Sequence, residues 1–506
     1  MNYLIGVDLG TQSIKAGLMS EKGVLIAEYT EETNIINTKD GGIEQDPEEM
    51  FNSVLTCIKK VFQKAKTKKL IKKSEIASIC MDGQMAGIMG IDKKGMAVTP
   101  YDSWLDTRCS ITRKPFLDFG EEKIIKITGG PVSFTHGPKI IWQKKFRKEI
   151  YKKIYKFVQP AVYCTMRLCG LVGDDAFIDY TYLHFSGFSD TKNMKWSDEI
   201  IKALKMDKNK FPKIIRPFDV VGRLTKKFAE KTGLLSGIKI VAGMGDTAAT
   251  SFGAGITKKN LCFDIAGTAS VMAFSTNKFT PDIKNKTLLF APSVMPNLYT
   301  AMGYVNGGGL CIRWVRDKVF NNEFSYDALE KMAKKIKAGS ENLFFIPHFY
   351  GRITPNDNLV RGAFINLSFN HKTGHLYRSV LEGIVYEYLF YYNIIKKLIP
   401  DQKFKKIISI GGASKSELFA QIKSDALSIS LEKGQKKDTA LLACCSVAGF
   451  GVGLFDKIDK LVQKTKEPTV LPNKGNSKIY SDKVKIYEKI ISDLRSVYAK
   501  ILEEKR

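Results

Sequence analysis

The sequence predicts an α/β protein made of two similar halves, and three observations support this fold class. At 506 residues the chain is too long for one hydrophobic core, so we expect two domains of about 250 residues each. Residues 5–19 have the pattern of two short strands around a Gly10-Thr11-Gln12-Ser13 turn, with Asp8 near the end of the first strand. Just past mid-chain, residues 261–274 repeat the pattern with Asp264 and a Gly267-Thr268 turn.

The turn at residues 10–13 has the chemistry of a phosphate-binding loop. Its N–H groups and hydroxyls can align with phosphate oxygens, Lys15 can add a positive charge, and Asp8 can hold a hydrated Mg²⁺. It is not a Walker loop, because the chain contains no GxxxxGK[ST] sequence. Taken alone, the segment fits an ordinary hairpin equally well. The repeat at 261–274 favours two halves that face a shared nucleotide, an arrangement that resembles the actin, sugar kinase and Hsp70 superfamily.

The composition argues against several classes of protein. The apolar fraction of 44% is typical of globular domains, and no window holds 18 uninterrupted apolar residues or a signal peptide, so we predict neither secretion nor a membrane partner. Nine cysteines without CxxC spacing predict no zinc site and no disulfide framework, which favours a cytoplasmic location. The net charge of +27 comes mainly from lysines on polar helix positions. Because arginines are few, we predict a solvated basic surface and no nucleic-acid partner.

The first half is predicted to alternate strands with helices. Strands are expected over residues 3–8, 14–19, 24–29, 76–81 and 238–242. Asp46 is the predicted N-cap of a helix with Pro47 at its first position, acids in its first turn and apolar residues at helical spacing up to residue 65. Residues 110–235 carry few clear signals. We place the domain boundary near residue 254, which gives domains 1–254 and 255–506.

The second half predicts strands that lead into small-residue turns. After the strand pair at 261–274, helices are expected from Gly308-Gly309 to residue 319, over 374–399, from about 415, over 439–451 and over 481–504, with a strand at 406–410. The strand at 406–410 runs into Gly411-Gly412-Ala413, where a flat ligand can approach the backbone. The small Ala413 and the polar Ser416 would suit an adenosine pocket. Such turns are often glycine-rich for structural reasons alone.

Asp246 lies between a predicted strand end and a helix start, flanked by small residues. Its carboxylate can simply cap the helix. Alternatively, it can take a proton from a sugar hydroxyl while that hydroxyl attacks the γ-phosphoryl group of a nucleotide. The sequence around Asp246 is compatible with both roles, the helix cap and the general base.

Seven segments in order carry a specific resemblance: the chain resembles the FGGY carbohydrate kinases, the family of xylulokinase, gluconate kinase, ribulokinase and glycerol kinase, over essentially its whole length. The matching segments are DLGTQSIK (8–15), DGQMAG (82–87), WLDTR (104–108), AGMGDTAA (242–249), AGTAS (266–270), RGAFINLSFNHKTGHLYRSVLEG (361–383) and GGASKSELFAQIKSDAL (411–427). In the family these are, respectively, a phosphate motif, the sugar loop and the segment behind it, the general-base segment, a second phosphate motif, the C-terminal signature and the adenosine motif.

The resemblance implies two RNase-H-like domains of the actin/hexokinase/Hsp70 superfamily around a central cleft. It implies a cytoplasmic, ATP-dependent kinase that uses Mg²⁺. Its substrate would be a small sugar, most naturally a ketopentose such as xylulose, which is phosphorylated at a terminal hydroxyl. A homodimer is one possible assembly, and the sequence does not determine the oligomeric state. Asp246 would be the general base and Asp8 the metal ligand. The implied sugar-binding residues are Gln84, Met85, Trp104, Asp106, Arg108, Asp246 and Thr247. The implied ATP-binding residues are Gly10, Thr11, Gln12, Ser13, Lys15, Gly267, Thr268, Gly308, Gly309, Gly411, Gly412, Ala413 and Ser416.

Departures from the family pattern affect the sugar more than the reaction. Ala86 stands where xylulokinases usually have His, and Thr247 replaces the Asn or Gln that commonly follows the base. Gluconate, another pentulose or a polyol therefore stays open as the acceptor. A non-catalytic actin-like or Hsp70-like ATPase is the alternative from another class, and the sugar loop together with Asp246 argues against it.

Overall fold

The structure is a computed structural model and describes residues 1–69, 71–434, 438–462 and 469–503. The chain folds into two compact units. The first unit comprises Met1–Thr257, Ala291–Leu298 and Lys436–Lys464, and the second comprises Lys258–Phe290, Tyr299–Gln435 and Thr465–Arg506. A segment from the last fifth of the chain is thus part of the first unit.

A six-stranded sheet forms the centre of the first unit. Its strands are β1 (Tyr3–Leu9), β2 (Ser13–Ser20), β3 (Leu25–Glu32), β4 (Ile76–Gly83), β5 (Val220–Arg223) and β6 (Lys239–Gly245). They lie in the order β5-β6-β4-β1-β2-β3, and β4 is parallel to both β1 and β6. In β1, Ile5 and Val7 belong to one hydrophobic cluster and Leu4 to another, because both faces of the sheet are covered. This explains why β1 is a continuous apolar run up to Asp8.

Helices cover this sheet and fill the region between β4 and β5. The helices of the first unit are α1 (Pro47–Lys69), α2 (Lys114–Thr128), α3 (His136–Phe146), α4 (Lys148–Lys153), α5 (Pro160–Cys169), α6 (Asp198–Ala203), α7 (Lys226–Thr232) and α8 (Asp246–Gly253). A further helix, Thr439–Gly451, packs on β1, β4 and β6. Asp46 caps α1 as predicted, since its Oδ1 accepts the N–H of Glu48 at 2.9 Å. Short strands lie at Ile36–Asn37, Ile43–Gln45, Met89–Ile91, Tyr101–Asp102, Lys156–Val158, Phe177–Asp179, Ser189–Asp190, Lys195–Trp196 and Lys213–Ile215.

The second unit is built on a seven-stranded sheet. Its strands are β7 (Leu261–Ala266), β8 (Ser270–Thr276), β9 (Leu289–Pro292), β10 (Tyr299–Val305), β11 (Lys406–Ile410), β12 (Ser430–Lys433) and β13 (Thr469–Val470), in the order β9-β10-β8-β7-β11-β12-β13. A separate short pair joins Phe344–Ile346 to Ala363–Ile365. As in the first unit, an antiparallel hairpin, here β7–β8, is followed by a strand parallel to its first member, here β11. The similarity of the two halves that the repeated Gly-Thr turn predicted is therefore visible in the strand pairing.

The helices of the second unit complete the numbering. They are α9 (Gly308–Trp314), α10 (Tyr326–Lys334), α11 (Thr373–Leu398), α12 (Glu417–Leu427) and α14 (Lys474–Glu503), and α13 is the Thr439–Gly451 helix of the first unit. The predicted strands and these helices are confirmed within a few residues, and α14 begins earlier than expected, at Lys474. Within the part of the chain that is described, no helix has both the length and the apolarity needed to cross a membrane.

Candidate active site

The position of Asp246 follows from an irregularity in β6. Gly243 has a φ of +90°, and a Cβ there would lie 1.9 Å from the carbonyl oxygen of Met81 on β4, so the strand bulges at this glycine. Past the bulge, Met244 is opposite Asp82 and Gly245 is opposite Gly83. The strand end therefore delivers Asp246 to the first position of α8, beside the turn that follows β4.

The carboxylate of Asp246 is half-buried and held from one side only. Its Oδ1 accepts the backbone N–H of Thr247 at 2.5 Å and the hydroxyl of Thr247 at 3.1 Å. Burial raises the pKa of Asp246 to about 7, and the charge of Asp8 acts in the same direction. A carboxyl group with a pKa near neutrality is suited to accept a proton from an alcohol.

Asp8 belongs to a group of acidic side chains at the ends of β1 and β4. It is paired in register with Asp82 on one side and with Lys15 on the other. Burial raises the pKa of Asp8 to about 6, helped by the charge of Asp438, while a hydrogen bond from Asp82 opposes the shift. Burial holds the pKa of Asp82 well above its ordinary value. Burial therefore favours the protonated form of both carboxyl groups more than it would be favoured in exposed aspartates.

Asp438 and Cys444 are two further side chains in this group. Lys15 forms an ion pair of 2.5 Å with Asp438, the residue that caps α13. The thiol of Cys444, also on α13, lies 3.0 Å from Oδ2 of Asp82. Lys15 therefore has an anionic partner within the protein, which the sequence pattern did not predict.

A hydrogen-bonded network connects the first phosphate turn with the sugar loop. Trp104 Nε1 donates to the hydroxyl of Thr11 at 2.9 Å, and that hydroxyl donates to Gln84 Oε1 at 3.2 Å. The amide nitrogen of Gln84 donates to Gln45 at 2.7 Å and to the carbonyl of Gly10 at 3.3 Å. The amide of Gln84 is thus committed to the protein and fixes the turn, whereas the ring of Trp104 is 45% exposed.

Met85 and Ala86 form the tip of the sugar loop. Met85 packs so closely on Gly245 that a Cβ at Gly245 would lie 2.5 Å from the Met85 sulfur. Ala86 is half-buried and has a φ of +63°. The loop and the strand that carries Asp246 are therefore in direct contact through Met85.

Arg108 is enclosed by carboxylates. Its guanidinium donates to Asp106 at 2.5 Å, to Glu44 at 2.6 Å and to Asp40 at 2.8 Å. Among the described residues, Glu44, Asp102 and Asp106 form the one acidic triad whose ligand atoms lie within 4.8 Å of one another, and Arg108 forms ion pairs with all three. The contacts of Asp106 and Arg108 support a role in holding the Trp104 segment rather than direct contact with a sugar.

A cavity of about 620 Å³ lies in the second unit next to the Gly267-Thr268 turn. It is lined by Ala266, Gly267, Thr268, Gly309, Ile312, Arg313, Tyr326, Asp327, Glu330, Tyr377, Leu381, Gly412, Ala413, Lys415, Ser416 and Phe419. The structure thus brings six of the predicted nucleotide residues, from three separate motifs, into one cavity. Its size is in the range of small-molecule and cofactor pockets.

The remaining glycines of these motifs support the cavity from behind. A Cβ at Gly308 would lie 1.8 Å from the Ser270 hydroxyl, and one at Gly411 would lie 2.7 Å from the Ala266 carbonyl oxygen. The N–H of Gly309 donates to the carbonyl of Gly267 at 3.0 Å, so the start of α9 braces the phosphate turn.

Gln12 and Ser13 have few described contacts. Gln12 lies in the turn between β1 and β2 and is exposed, whereas Ser13 is the first residue of β2 and is half-buried. The Gly10 N–H donates to the Ser13 carbonyl at 3.1 Å and closes the turn.

Several residues at these sites had no signal in the sequence. Tyr326, Asp327 and Glu330 reach the cavity because α10 packs beside α11 and α12, which no local pattern indicates. Asp82 is the first residue of the recognised DGQMAG segment, but no role was predicted for it, and Gln45 directly precedes the predicted N-cap Asp46.

Comparisons with known proteins place this geometry in context. Residues 3–253 match the model of the FGGY family of carbohydrate kinases, N-terminal domain, and residues 264–445 match that of the C-terminal domain. The chain is 28% identical over 512 residues to a xylulose kinase of Lactococcus lactis, with 99% of each chain covered. It is 25% identical over 520 residues to a gluconokinase of Bacillus subtilis, with 100% of this chain and 98% of the relative covered.

A solved structure agrees over the whole length. The ligand-bound xylulose kinase from Lactobacillus acidophilus superposes with a TM-score of 0.89 at 25% identity, covering 99% of this chain and 100% of that chain. The two-domain α/β fold of the actin/hexokinase superfamily is thereby confirmed.

Proposed function

We propose, from the premise that this chain belongs to the FGGY family of carbohydrate kinases, that it phosphorylates a terminal hydroxyl of a small ketopentose such as xylulose, with ATP as donor. The observation that carries the proposal is Asp246, a half-buried carboxylate with a raised pKa at the end of β6, in contact with the sugar loop through Gly245 and Met85. Relatives named xylulose kinase that match nearly the whole chain support this acceptor.

Asp246 acts as the general base in this reaction. Its carboxylate takes the proton of the acceptor hydroxyl while the hydroxyl oxygen forms a bond to the γ-phosphorus and the bond from that phosphorus to the β,γ-bridging oxygen breaks, releasing ADP. Oδ1 of Asp246 accepts two hydrogen bonds from Thr247, which leaves Oδ2 to receive the proton. Thr247 thus orients the base rather than binding the sugar through its hydroxyl.

The sugar lies against the turn after β4 in this proposal. Met85 and the exposed ring of Trp104 supply contact surface, and Gln84 fixes the turn through Thr11 and Gln45. Asp106 and Arg108 hold the Trp104 segment in place through the Arg108 carboxylate cluster.

ATP binds with its adenosine in the cavity of the second unit. Gly412 and Ala413 leave room for the flat base, and Gly267-Thr268 faces the same cavity with a turn suited to phosphate oxygens. The turn at residues 10–13 is the corresponding phosphate loop of the first unit.

Magnesium is the metal that the residues around Asp8 fit. Asp8 and Asp82 are neighbours in the register of β1 and β4, and carboxylate oxygens are preferred ligands of Mg²⁺, so these two side chains could hold the ion together. When bound, the ion neutralises charge on the transferring phosphoryl group. Asp8→Ala is expected to weaken Mn²⁺ binding in the presence of ADP, measured by electron paramagnetic resonance; unchanged Mn²⁺ binding would exclude Asp8 as a ligand.

We also propose that the protein is cytoplasmic and that it forms a homodimer. All nine cysteines are free thiols, which supports the reducing cytoplasm as the compartment. A homodimer is the assembly we propose to test by light scattering.

Purified protein tested on a panel of acceptors, with ADP release as the readout, decides the function. The panel contains D-xylulose, D-ribulose, L-ribulose, gluconate and glycerol. We expect the highest kcat/KM on a ketopentose. Asp246→Asn should lower kcat by about 10²-fold or more, the range for a general base, with KM for ATP changed by less than about threefold. Normal turnover in the Asp246→Asn variant would show that Asp246 is not the general base. A higher kcat/KM of the wild type on gluconate than on any ketopentose would show that gluconate is the acceptor.

A further inference from the structure

A short helical segment behind the sugar loop contacts the strand that carries Asp246. The segment is the 3₁₀ turn Tyr180–Phe185, which follows the strand Phe177–Asp179. Thr181 and Tyr182 in this segment are fully buried. Neither belongs to the motifs that carry the family resemblance, and neither lines the nucleotide cavity.

Two hydroxyl groups from this segment bind the end of β6. The Thr181 hydroxyl accepts the backbone N–H of Gly245, the residue before Asp246, at 2.9 Å. The Tyr182 hydroxyl lies 3.2 Å from the carbonyl oxygen of Met244 and 3.0 Å from that of Gly83. Tyr182 therefore bridges the end of β6 to the end of β4, where the sugar loop begins.

Asp179 fixes the direction of the Thr181 hydrogen bond. Its Oδ1 accepts both the backbone N–H, at 2.9 Å, and the hydroxyl proton of Thr181. Because the hydroxyl proton is directed at the carboxylate, a lone pair of the same oxygen must face the Gly245 N–H. The result is a buried chain from Asp179 through Thr181 to the residue that precedes the base.

This arrangement gives backbone atoms around Asp246 partners that the sheet does not supply. Gly245 is the N-cap position of α8, where the chain leaves the strand and turns into the helix. A backbone held at both Met244 and Gly245 leaves Asp246 little freedom, apart from rotation of its own side chain.

We propose that Thr181 and Tyr182, with Asp179 orienting Thr181, are positioning residues that hold the base Asp246 and the sugar loop at a fixed separation. The proposal rests on the proposed kinase function. The three residues act through Gly245, Met244 and Gly83 and do not touch the substrate. Since a displacement of about 1 Å can lower turnover by about 10²-fold, the loss of one of these hydroxyls is expected to reduce kcat.

Variants that remove one hydroxyl each test the proposal. Thr181→Val keeps the shape and deletes the hydroxyl, Thr181→Ser restores it, and Tyr182→Phe removes the bridge between the two strand ends. Matched controls are Thr232→Val, in which a buried hydroxyl bonded to the carbonyl of Phe228 in α7 is lost, and Tyr163→Phe, in which a hydroxyl bonded to Glu48 is lost. Melting temperature, kcat and the KM values for sugar and ATP are measured for the five variants and the wild type.

The expected result separates positioning from general destabilisation. Thr181→Val and Tyr182→Phe should lower kcat by about tenfold or more while KM for ATP changes by less than about twofold, and Thr181→Ser should recover most of the rate. The two controls should lower the melting temperature by a similar amount and leave kcat within about twofold of the wild type.

Other outcomes overturn the proposal. If Thr181→Val and Tyr182→Phe fold and retain the turnover of their controls, the segment has no positioning role. If Thr181→Val does not fold, the comparison of Tyr182→Phe with Tyr163→Phe decides by the same criterion. If the wild type phosphorylates no acceptor, the proposed function itself is refuted. If the wild type is active and the variants are unaffected, only the positioning role is refuted.

Discussion

At the scale of single residues, the most consequential feature is that the half-buried Asp246 and the fully buried Asp179 form no ion pair with a cationic side chain among the described residues. Asp246 and Asp179 each have a pKa raised to about 7, and burial is the largest cause for both. Glu387 in the second unit shows the contrast, because Arg352 and His348 more than offset burial and lower its pKa to about 2. A site that needs a base active near neutral pH thus keeps its carboxylate away from arginines.

The raised pKa of Asp246 predicts a pH-dependent gain of stability in Asp246→Asn. From the ordinary value of 3.8 up to about 7, the folded wild type retains a proton that the unfolded chain has released, so its unfolding free energy falls as pH rises. Asparagine does not titrate. The melting temperature of Asp246→Asn relative to the wild type should therefore increase between pH 4 and pH 7 and then level off.

Thermal unfolding at pH 4.5, 6 and 8 measures this difference. Asp118→Asn, at an exposed position of α2, is the matched control and should show a smaller change with pH. A difference between Asp246→Asn and the wild type that is the same at all three pH values would contradict the raised pKa.

Ala86 offers a test of acceptor choice at the residue scale. Its φ of +63° is a conformation in which His is found more often than most side chains, so Ala86→His should fit the backbone. If residue 86 faces the sugar, the new donor should shift the kcat/KM ratio toward D-xylulose by about two- to tenfold, the worth of one neutral hydrogen bond. We also expect the wild type to accept more than one small polyhydroxy substrate.

The panel of acceptors used for the wild type measures this shift. Ala86→Leu adds comparable bulk without a polar atom and separates volume from hydrogen bonding. A wild type strict for one sugar, with no change of preference in Ala86→His, would remove Ala86 from the specificity argument.

At the scale of secondary-structure elements, the ends of helices and strands form both sites. The ends of β4 and β6 and the start of α8 position Asp246, while α9, α10, α12 and the turn after β11 surround the nucleotide cavity. The 3₁₀ turn Gly412–Lys415 after β11 is open to this cavity, and a Cβ at Gly412 would meet no protein atom within 4 Å. The space in front of Gly412 is therefore available for a ligand.

Substitutions at Gly412 should affect ATP binding without affecting folding. Gly412→Ala is expected to leave the melting temperature unchanged, because its methyl group has no neighbour, and to raise KM for ATP about threefold or more through contact with the adenosine. Gly412→Val should raise it further. Steady-state kinetics with ATP as the varied substrate provide the measurement, and unchanged KM in both variants would place the adenosine elsewhere.

At the scale of the whole molecule, the first unit depends on α13, a helix from the last fifth of the chain. α13 packs on β1, where a Cβ at Gly6 would lie 2.9 Å from the carbonyl oxygen of Leu441 and 3.0 Å from Cys444 Cβ. It also supplies Asp438 to Lys15 and Cys444 to Asp82. The unit that carries Asp246 is therefore discontinuous in sequence.

This discontinuity predicts the behaviour of fragments. Residues 1–257 alone should be aggregation-prone and sensitive to protease, since the face of β1 and β4 that α13 covers would be exposed. The same fragment joined to residues 436–464 by a short flexible linker should be more resistant. The join is feasible because Gly253, at the end of α8, lies against the backbone of Thr439, at the start of α13.

Circular dichroism and limited proteolysis compare the two fragments. A scrambled version of the 436–464 segment is the control for added length. Cooperative unfolding of residues 1–257 without α13 would show that the first unit does not need this helix.

The sequence by itself determined the local features of this protein. Both Gly-Thr hairpins, the strand-to-glycine turns and most helix positions were predictable, because turn chemistry, capping and hydrophobic periodicity depend on neighbours within a few residues. The order of seven motifs identified the family and placed Asp8, Asp246 and Gly411-Gly412-Ala413 at their strand ends.

Only the tertiary structure decided which side chains meet. The pairing of Lys15 with Asp438, the ion pairs of Arg108, the link from Asp179 to Gly245 and the lining of the cavity by α10 join residues far apart in the chain. Strand register and helix packing fix such contacts, and they are set by the burial of whole faces rather than by any local pattern. The same reason explains why α13 belongs to the first unit although it follows most of the second in sequence.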